Sequence, residues 1–376
     1  MGRSRADREE FKAKVTEDPA RGVFSMKLKD DGACSFLAAD KLCSLQQRFG
    51  PDALPHTCAV YPRVPQQVGD QRELWGSMSC PEMARLCLLT EDGMTPIGGE
   101  PDDQRGITLR RQPADPSPYA RALNFVRAEA TRLLSLRQYP IASRLFFLAY
   151  VGHRTQAFFH QKATSVPEAA LLAEFQKLAA PGVCDALHAN FQKLTVPSRV
   201  ATRVVVGILR ARGQSVLRPL IARVLANLGA QERVGPEGAA VLTADAAASW
   251  ARYQENRQLW EKDFGSEIDL YLENDAKNHW LKTWYTESVH LLAHAQAYLC
   301  RAALVRFLWF GHPELRAAEG GTRDQRKAAL EKAFIEVVSR VTRAIDHDPA
   351  FTAALRDALL ADGMQDFAHT TILGRA

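Results

Sequence analysis

Apolar residues recur at three- and four-residue steps through most of the chain beyond Pro118. Leu123, Val126, Ala130, Leu133 and Leu134 set the pattern, and it returns over 141–160, 198–228, 243–263, 284–310 and 325–346. Such spacing lines one face of an α-helix with core-forming side chains, so it predicts an all-α body. Thr202 to Ile208 is rich in β-branched residues, but its flanks keep the helical period, which argues against a strand there. Before about residue 100 the periodicity is interrupted by Pro51, Pro55, Pro62, Pro65, Pro81 and the Gly98-Gly99 pair. The polar stretch from Gly99 to Pro118 reads as a linker or surface loop. The expected architecture is mainly α: an irregular cysteine-bearing N-terminal module over residues 1–100, packed on an all-α helical body over 101–376.

Length and charge narrow the class. A chain of 376 residues can bury a real core without disulfide staples. The most apolar stretch, Leu299 to Phe310, is interrupted by Arg301 and Arg306 and falls short of a bilayer span, so no membrane partner is expected. The charged start, Met1-Gly2-Arg3-Ser4-Arg5, has no apolar signal-like region, and a soluble cytoplasmic protein is expected. Net charge is only +5, yet no acidic residue falls between Asp185 and Glu232, where Lys193, Arg199, Arg203, Arg210, Arg212, Arg218 and Arg223 cluster. A solvated helix face explains this first, and docking of an acidic protein second. No aromatics interleave the arginines, so nucleic acid is not expected.

The candidate chemistry lies in the cysteines. Of seven, Cys87, Cys184 and Cys300 sit in apolar helical runs, where a thiol behaves as a small hydrophobe. Cys34, Cys43, Cys58 and Cys80 are separated by eight, fourteen and twenty-one residues, which matches neither a zinc ribbon nor a ferredoxin run. In a reducing compartment such thiols are metal ligands or catalytic groups more often than disulfides. A four-thiolate site, iron–sulfur or zinc, and ordinary buried cysteines stand as alternatives. Ser79-Cys80-Pro81-Glu82 has the form of a capping box, and Asp40 can cap a helix through Leu42, Leu45 and Phe49 that stops at Gly50. Both assignments put a thiol near a helix N-terminus, where the dipole favours thiolate.

Two further groups are polar candidates. Glu287, His290 and His294, in E-S-V-H-L-L-A-H, are expected on one helical face, but a single E-x-x-H segment lacks the second helix that a carboxylate metal bundle needs. Interior or interface histidines are expected instead. Arg343 and His347 lie a turn apart before Pro349 and either complement a helix C-terminus or face a pocket. No G-x-G-x-x-G after a strand, P-loop, H-E-x-x-H or G-x-S-x-G is present.

Taken together, C-S-F-L, K-L-C-S-L-Q-Q-R-F-G, L-P-H-T-C-A-V-Y-P-R and S-M-S-C-P-E-M-A-R-L resemble the flagellin lysine-N-methylase family of cysteine-cluster proteins. R-L-F-F-L-A-Y, L-E-N-D-A-K-N-H-W and S-R-V-T-R-A-I-D-H-D-P-A-F extend the resemblance over most of the chain. It implies a cytoplasmic methyltransferase that moves a methyl group from S-adenosylmethionine to lysine side chains of flagellin, with an iron–sulfur cluster held by cysteines. Cys34, Cys43, Cys58 and Cys80 match the family's later cysteines; the tight group usually found upstream of C-x-F-L is not in this sequence. Tyr61, Arg63, Glu82, Arg343 and His347 become candidates for shaping the pocket, with Arg63 suited to pairing a cofactor carboxylate. The alternative is a non-enzymatic iron–sulfur or zinc protein-interaction module.

Overall fold

The computed structural model describes residues 4–18, 22–30, 32–99, 110–111, 118–160, 168–194, 217–234, 240–243, 245–288, 290–346, 367 and 374–375. They fall into two compact units, one within Met1–Tyr61 and the other taking most of the chain from Pro62 on.

The first unit begins with α1 (Arg5–Lys14), whose N-cap Ser4 and Asp7 form a reciprocal capping box. The chain passes directly into β1 (Val15–Asp18), which pairs antiparallel with β2 (Val23–Met26). A short α2 (Ser44–Phe49) stops at Gly50, whose φ of 78° only glycine adopts without strain. Arg48 of α2 bridges Asp7 and Glu10 of α1, and the Phe11 and Phe36 rings meet at 5.7 Å. Another short helix, α3 (His56–Val60), closes the unit. Among its described hydrophobic residues, only Phe36 and Leu45 are buried.

The second unit opens with a hairpin. β3 (Arg63–Val68) and β4 (Gln71–Gly76) pair antiparallel around the Gly69-Asp70 turn, with Gly69 at a φ of 58°. Next comes α4 (Pro81–Leu88), and β5 (Arg110–Arg111) then adds in parallel to β3. The helical body follows as α5 (Leu123–Leu134), α6 (Ile141–His160), α7 (Glu168–Leu178), α8 (Pro181–Lys193) and α9 (Arg218–Asn227). After the small hairpin β6 (Gln231–Val234) and β7 (Ala240–Thr243) come α10 (Ala246–Lys282), α11 (Leu291–Phe310), α12 (Pro313–Ala318) and α13 (Arg323–Ile345). Helix α11 is buried on nearly every side by α6, α10 and α13, which is why its sequence is apolar without a polar face. Among the described residues no helix is long and apolar enough to cross a membrane.

The mainly α expectation holds for the body. Within the first hundred residues, short helices and turns alternate with two regular hairpins, β1–β2 and β3–β4, which the sequence pattern did not announce. The 284–310 segment is two elements, a 3₁₀ turn at Tyr285–Glu287 and α11. The β3–β4 hairpin and α4 belong to the same compact unit as the helices, although the sequence grouped them with the cysteine module. Thr202 to Ile208 and the arginines at 199, 203, 210 and 212 lie outside the described residues. Of the remaining basic cluster, Arg223 pairs with Glu336 of α13.

The Leu272–Trp280 stretch of α10 organises the body. Successive residues turn by about 100° around a helix, so each polar side chain here meets a different neighbour. Glu273 is fully buried and accepts from Arg144 of α6 at 2.6 Å, Lys277 at 2.6 Å and Arg137 at 3.1 Å. Asn274 donates to the carbonyls of Leu88 and Thr90, orphan acceptors at the end of α4. Asp275 takes Arg301 and Tyr298 of α11, and Asn278 donates to the Gly76 carbonyl. At the helix end, Arg127 and Gln66 both donate to Leu281 O while sharing the Glu73 carboxylate, tying the hairpin to α5 and α10.

Burial alone would raise the Glu273 pKa, but Arg137, Lys277 and Arg144 hold it below the ordinary value. Its stabilising contribution is therefore complete above the ordinary glutamate range and is lost as pH falls through the lowered value. Glu273→Ala leaves Arg144 buried beside no carboxylate at that position and is expected to destabilise the body by about 3–5 kcal/mol in urea unfolding at neutral pH. The difference from the unaltered chain should shrink in acid; a difference below about 1 kcal/mol at neutral pH would contradict the assignment.

Candidate functional site

Cys34, Cys43 and Cys58 belong to the first unit and Cys80 to the second. Isolated bridges join Leu28 to Cys34 and Leu37 to Cys43, so both cysteines are fixed by backbone pairing. Cys43 is itself the N-cap residue of α2. Asp40 does not cap that helix; its carboxylate accepts from Leu42 N at 3.0 Å and Gln47 Nε2 at 2.8 Å. Cys58 lies in α3, where local desolvation, then the Cys34 and Cys43 sulfurs, push its thiol pKa up. The Cys34 and Cys43 sulfurs thus lie close enough to Cys58 for its thiol to feel them. All seven cysteines are free thiols.

A metal cluster needs deprotonated sulfurs converging on one point. Among the described residues no three His, Cys, Asp or Glu side chains form a group that could hold a metal ion.

The Cys80 motif folds differently from its sequence signal. Cys80, not Ser79, is the N-cap of α4, and Pro81 occupies the first helical position, which suits its missing N–H. Glu82 turns to Arg85 at 2.6 Å on the surface, so the capping box does not form. Ser79 instead shares a hydroxyl hydrogen bond with Ser77 at 2.8 Å, and Ser77 N donates to Pro62 O. Arg343, in the last turn of α13, donates from Nε to Ser79 O at 3.0 Å. The structure thus joins two distant sequence motifs, S-C-P-E and S-R-V-T-R. Tyr61 is exposed at the end of α3, and Arg63 starts β3 opposite Gly76. His347 lies outside the described residues.

A cavity of about 390 Å³ opens elsewhere in the helical unit, beside the middle of α10. That helix carries non-helical angles at Phe264, followed by Gly265, and glycine is a recognised cause of such kinks. Arg257, Glu261, Asp269, Arg306 of α11 and Arg375 supply its charged lining; Ile141, Ile268, Leu272 and Phe191 supply apolar surface. Glu261 accepts from Arg257 at 2.7 Å, and Asp269 from Ile141 N at 3.1 Å with Arg144 at 3.5 Å. Arg306, only 2% exposed, donates to Gly374 O at 3.0 Å. Arg375 donates to the carbonyls of Phe191, Gln192 and Leu194. Burial, then the charge of Arg257, lowers the pKa of both Arg306 and Arg375. Burial raises that of Asp269, an effect opposed by Arg144 and reinforced by Glu261. None of these residues stood out in the sequence, because they come from four helices and the C-terminal segment and share no local motif.

The model of the FliB lysine N-methylase C-terminal domain matches residues 127–373. The chain belongs to this family. Flagellar biosynthetic protein FliU of Salmonella muenchen is 34% identical over 80 residues, 21% of this chain and 47% of that protein. The lysine-N-methylases of Salmonella typhimurium and Salmonella choleraesuis are each 35% identical over 63 residues, 17% of this chain and 16% of theirs. The matched part thus spans about half of FliU and about a sixth of the two methylases. No solved structure matches the chain significantly. The FliB-domain match contains the α10 polar stretch and every cavity residue except Arg375, whereas Cys34, Cys43, Cys58 and Cys80 precede it.

Within this FliB domain the expected Glu287–His290–His294 face is broken. His290 is the N-cap of α11, accepting from Ala293 N at 2.9 Å, and Glu287 pairs with Arg110. His294 is interior, as expected, with its ring 5.1 Å from that of His279 and edge-on to Trp280. Neither nitrogen of His279, nor Nε2 of His294, has a hydrogen-bond partner among the described residues.

Burial lowers the His294 pKa to about 3; burial, then His294, Arg301 and Lys282, lowers that of His279 well below its ordinary value. The unfolded chain therefore takes up protons first, so stability is complete above about pH 6.5 and falls on acidification below it. Each neutral imidazole contributes up to about 1.4 kcal/mol per pH unit to that fall. His294→Phe should flatten the stability profile between about pH 6.5 and 5 in urea unfolding; an unchanged slope would contradict the burial of a neutral ring.

Proposed function

We propose that this chain carries the body of a lysine N-methyltransferase that uses S-adenosylmethionine to methylate flagellin lysines in the cytoplasm. The observation that carries this reading is the FliB lysine N-methylase C-terminal domain match over residues 127–373, which takes in most of the helical unit. Relatives named lysine-N-methylase and flagellar biosynthetic protein FliU support the reaction class and the flagellar substrate.

The donor set around the α10 cavity fits a zwitterionic nucleoside. Guanidinium groups suit a carboxylate, carboxylates suit an ammonium, and the apolar wall suits a flat base. When bound, a sulfonium donor supplies an electrophilic methyl group. The protein has to present a neutral lysine amine in line with it, because an ammonium has no lone pair to attack. A desolvated lysine loses its proton more readily, so apolar walls that exclude water favour the nucleophilic form. A donor held there would give its methyl to the amine as the carbon–sulfur pair returns to sulfur, leaving a neutral thioether, and the methylated ammonium would release its proton to solvent. Positioning and water exclusion carry the rate in such a transfer. No step is routed through the cysteines.

A second reading is favoured by the neighbouring Cys34, Cys43 and Cys58 thiols in a unit with a sparse core. In it the chain is a non-enzymatic iron–sulfur or zinc interaction module.

Anaerobically purified full chain, incubated with flagellin and methyl-labelled S-adenosylmethionine, should add mass in steps of one methyl group to flagellin lysines, read by peptide mass spectrometry. Absence of any transfer overturns the enzyme reading. If Cys58→Ser removes bound iron or zinc and lowers stability while transfer is absent from both proteins, the interaction reading takes its place.

A further inference from the structure

We propose that the cleft between α1 and α2 is a docking site for an acidic segment of a partner protein, which seats one bulky apolar side chain among Phe11, Phe36 and Phe49 while its carboxylates meet Arg8 and Lys12. The cleft holds about 160 Å³, and its apolar lining is Phe11, Phe36, Leu45, Phe49 and Ala53, the last from the 3₁₀ turn Pro51–Ala53. Small-molecule sites run from about 300 Å³ upward, so this space suits one side chain rather than a nucleoside or cofactor. Aromatic and aliphatic anchors seated in pockets carry much of the energy of protein–protein contacts. The core of the unit points the same way. Phe36 and Leu45, its buried hydrophobic residues among those described, border the cleft instead of filling a closed interior. A seated side chain would extend that sparse core.

The rim decides the sign of the partner. Its charged residues are Arg8, Lys12 and Arg48 against Asp7 and Glu10. Arg48 bridges both carboxylates, and Lys14 takes Glu10 as well at 2.7 Å, so both acids are already engaged by cations of this chain. Two ring faces are taken in the same way: Arg48 lies over Phe49 at 4.9 Å and Lys14 over Phe36 at 5.2 Å. Arg8 and Lys12 are one turn apart on α1 and project from the same side of the helix. Lys12 meets Glu9 at 3.4 Å in an exposed pair that contributes little, and among the described residues the ion pairs of α1 leave Arg8 outside them. The surplus beside the apolar floor is cationic. Acidic residues flanking an apolar anchor are its complement, and a basic segment would be repelled.

Floor and rim can be tested separately. Ala53→Leu fills the cleft. Arg8 is exposed in the first half of α1, where a negative side chain suits the helix dipole, so Arg8→Glu reverses the rim charge and spares the fold. The probe is a capped peptide, Asp-Glu-Phe-Glu-Asp, titrated into the full chain and followed by saturation-transfer NMR, which detects weak binding. A dissociation constant of about 1 mM or below is expected, with saturation concentrated on the phenyl ring. Alanine in place of the central phenylalanine, or lysines in place of the acidic residues, should weaken binding by about tenfold. Ala53→Leu and Arg8→Glu should each weaken the original peptide by about the same factor, and Arg8→Glu should narrow its advantage over the lysine peptide. No saturation at millimolar peptide, equal binding of the lysine peptide, or binding that survives both variants overturns the proposal. Loss in Ala53→Leu while Arg8→Glu binds as the unaltered chain does removes the acidic partner and overturns it as well.

Discussion

One buried carboxylate sets the terms for the helical body. Glu273 sits out of water with Arg144, Arg137 and Lys277 around it, and an ion of that kind is tolerated only when its partners are in place. Its neighbours on α10 make the requirement geometric. Asn274 reaches the end of α4, Asp275 reaches α11, and Asn278 reaches the β4 strand end. A one-residue slip of α10 would rotate all four side chains by about 100° and orphan buried groups in four places. Apolar packing alone tolerates such slips better, so the polar stretch is what gives the bundle one register.

The parts of this arrangement that were legible in the sequence are those set by local periodicity. Helices α5, α6 and α13 follow the spacing of their apolar residues because each buries a continuous face. Helix starts were less legible. Ser79 has the residue types of a capping box, but its hydroxyl is taken by Ser77 and its carbonyl by Arg343, so the cap moves to Cys80. His290 reads as a position inside a helix, yet its ring nitrogen caps α11. The β3–β4 hairpin was obscured by Pro65 and by polar residues at buried positions. Gln66 is fully buried there with its amide nitrogen donating to Glu73 and the Leu281 carbonyl, a partnership that alternation of hydropathy does not reveal.

The candidate site divides along the same line. Cysteine spacing was visible, and three of the four thiols do lie in one unit; what the spacing could not convey was whether their sulfurs converge on a point. The charged cavity left no sequence trace at all, since Arg257, Asp269, Arg306 and Arg375 are brought together by the crossing of helices far apart in the chain. Family membership rests on the helical region, which contains the α10 polar stretch and most of that cavity, so the scaffold that fixes the register also fixes the cavity walls.

The sparse core of the first unit has a thermodynamic consequence. With Phe36 and Leu45 as its buried hydrophobic residues among those described, and with an exposed Arg48 bridge joining α1 to α2, little apolar burial opposes its chain entropy. A unit so poised transmits binding directly into folding. Any ligand that engages the neighbouring Cys34, Cys43 and Cys58 thiols in their folded arrangement adds its binding free energy to the stability of this unit by mass action. Occupancy and foldedness are then coupled, so any change at one of these thiols that weakens such a ligand also withdraws the stability it adds to this unit.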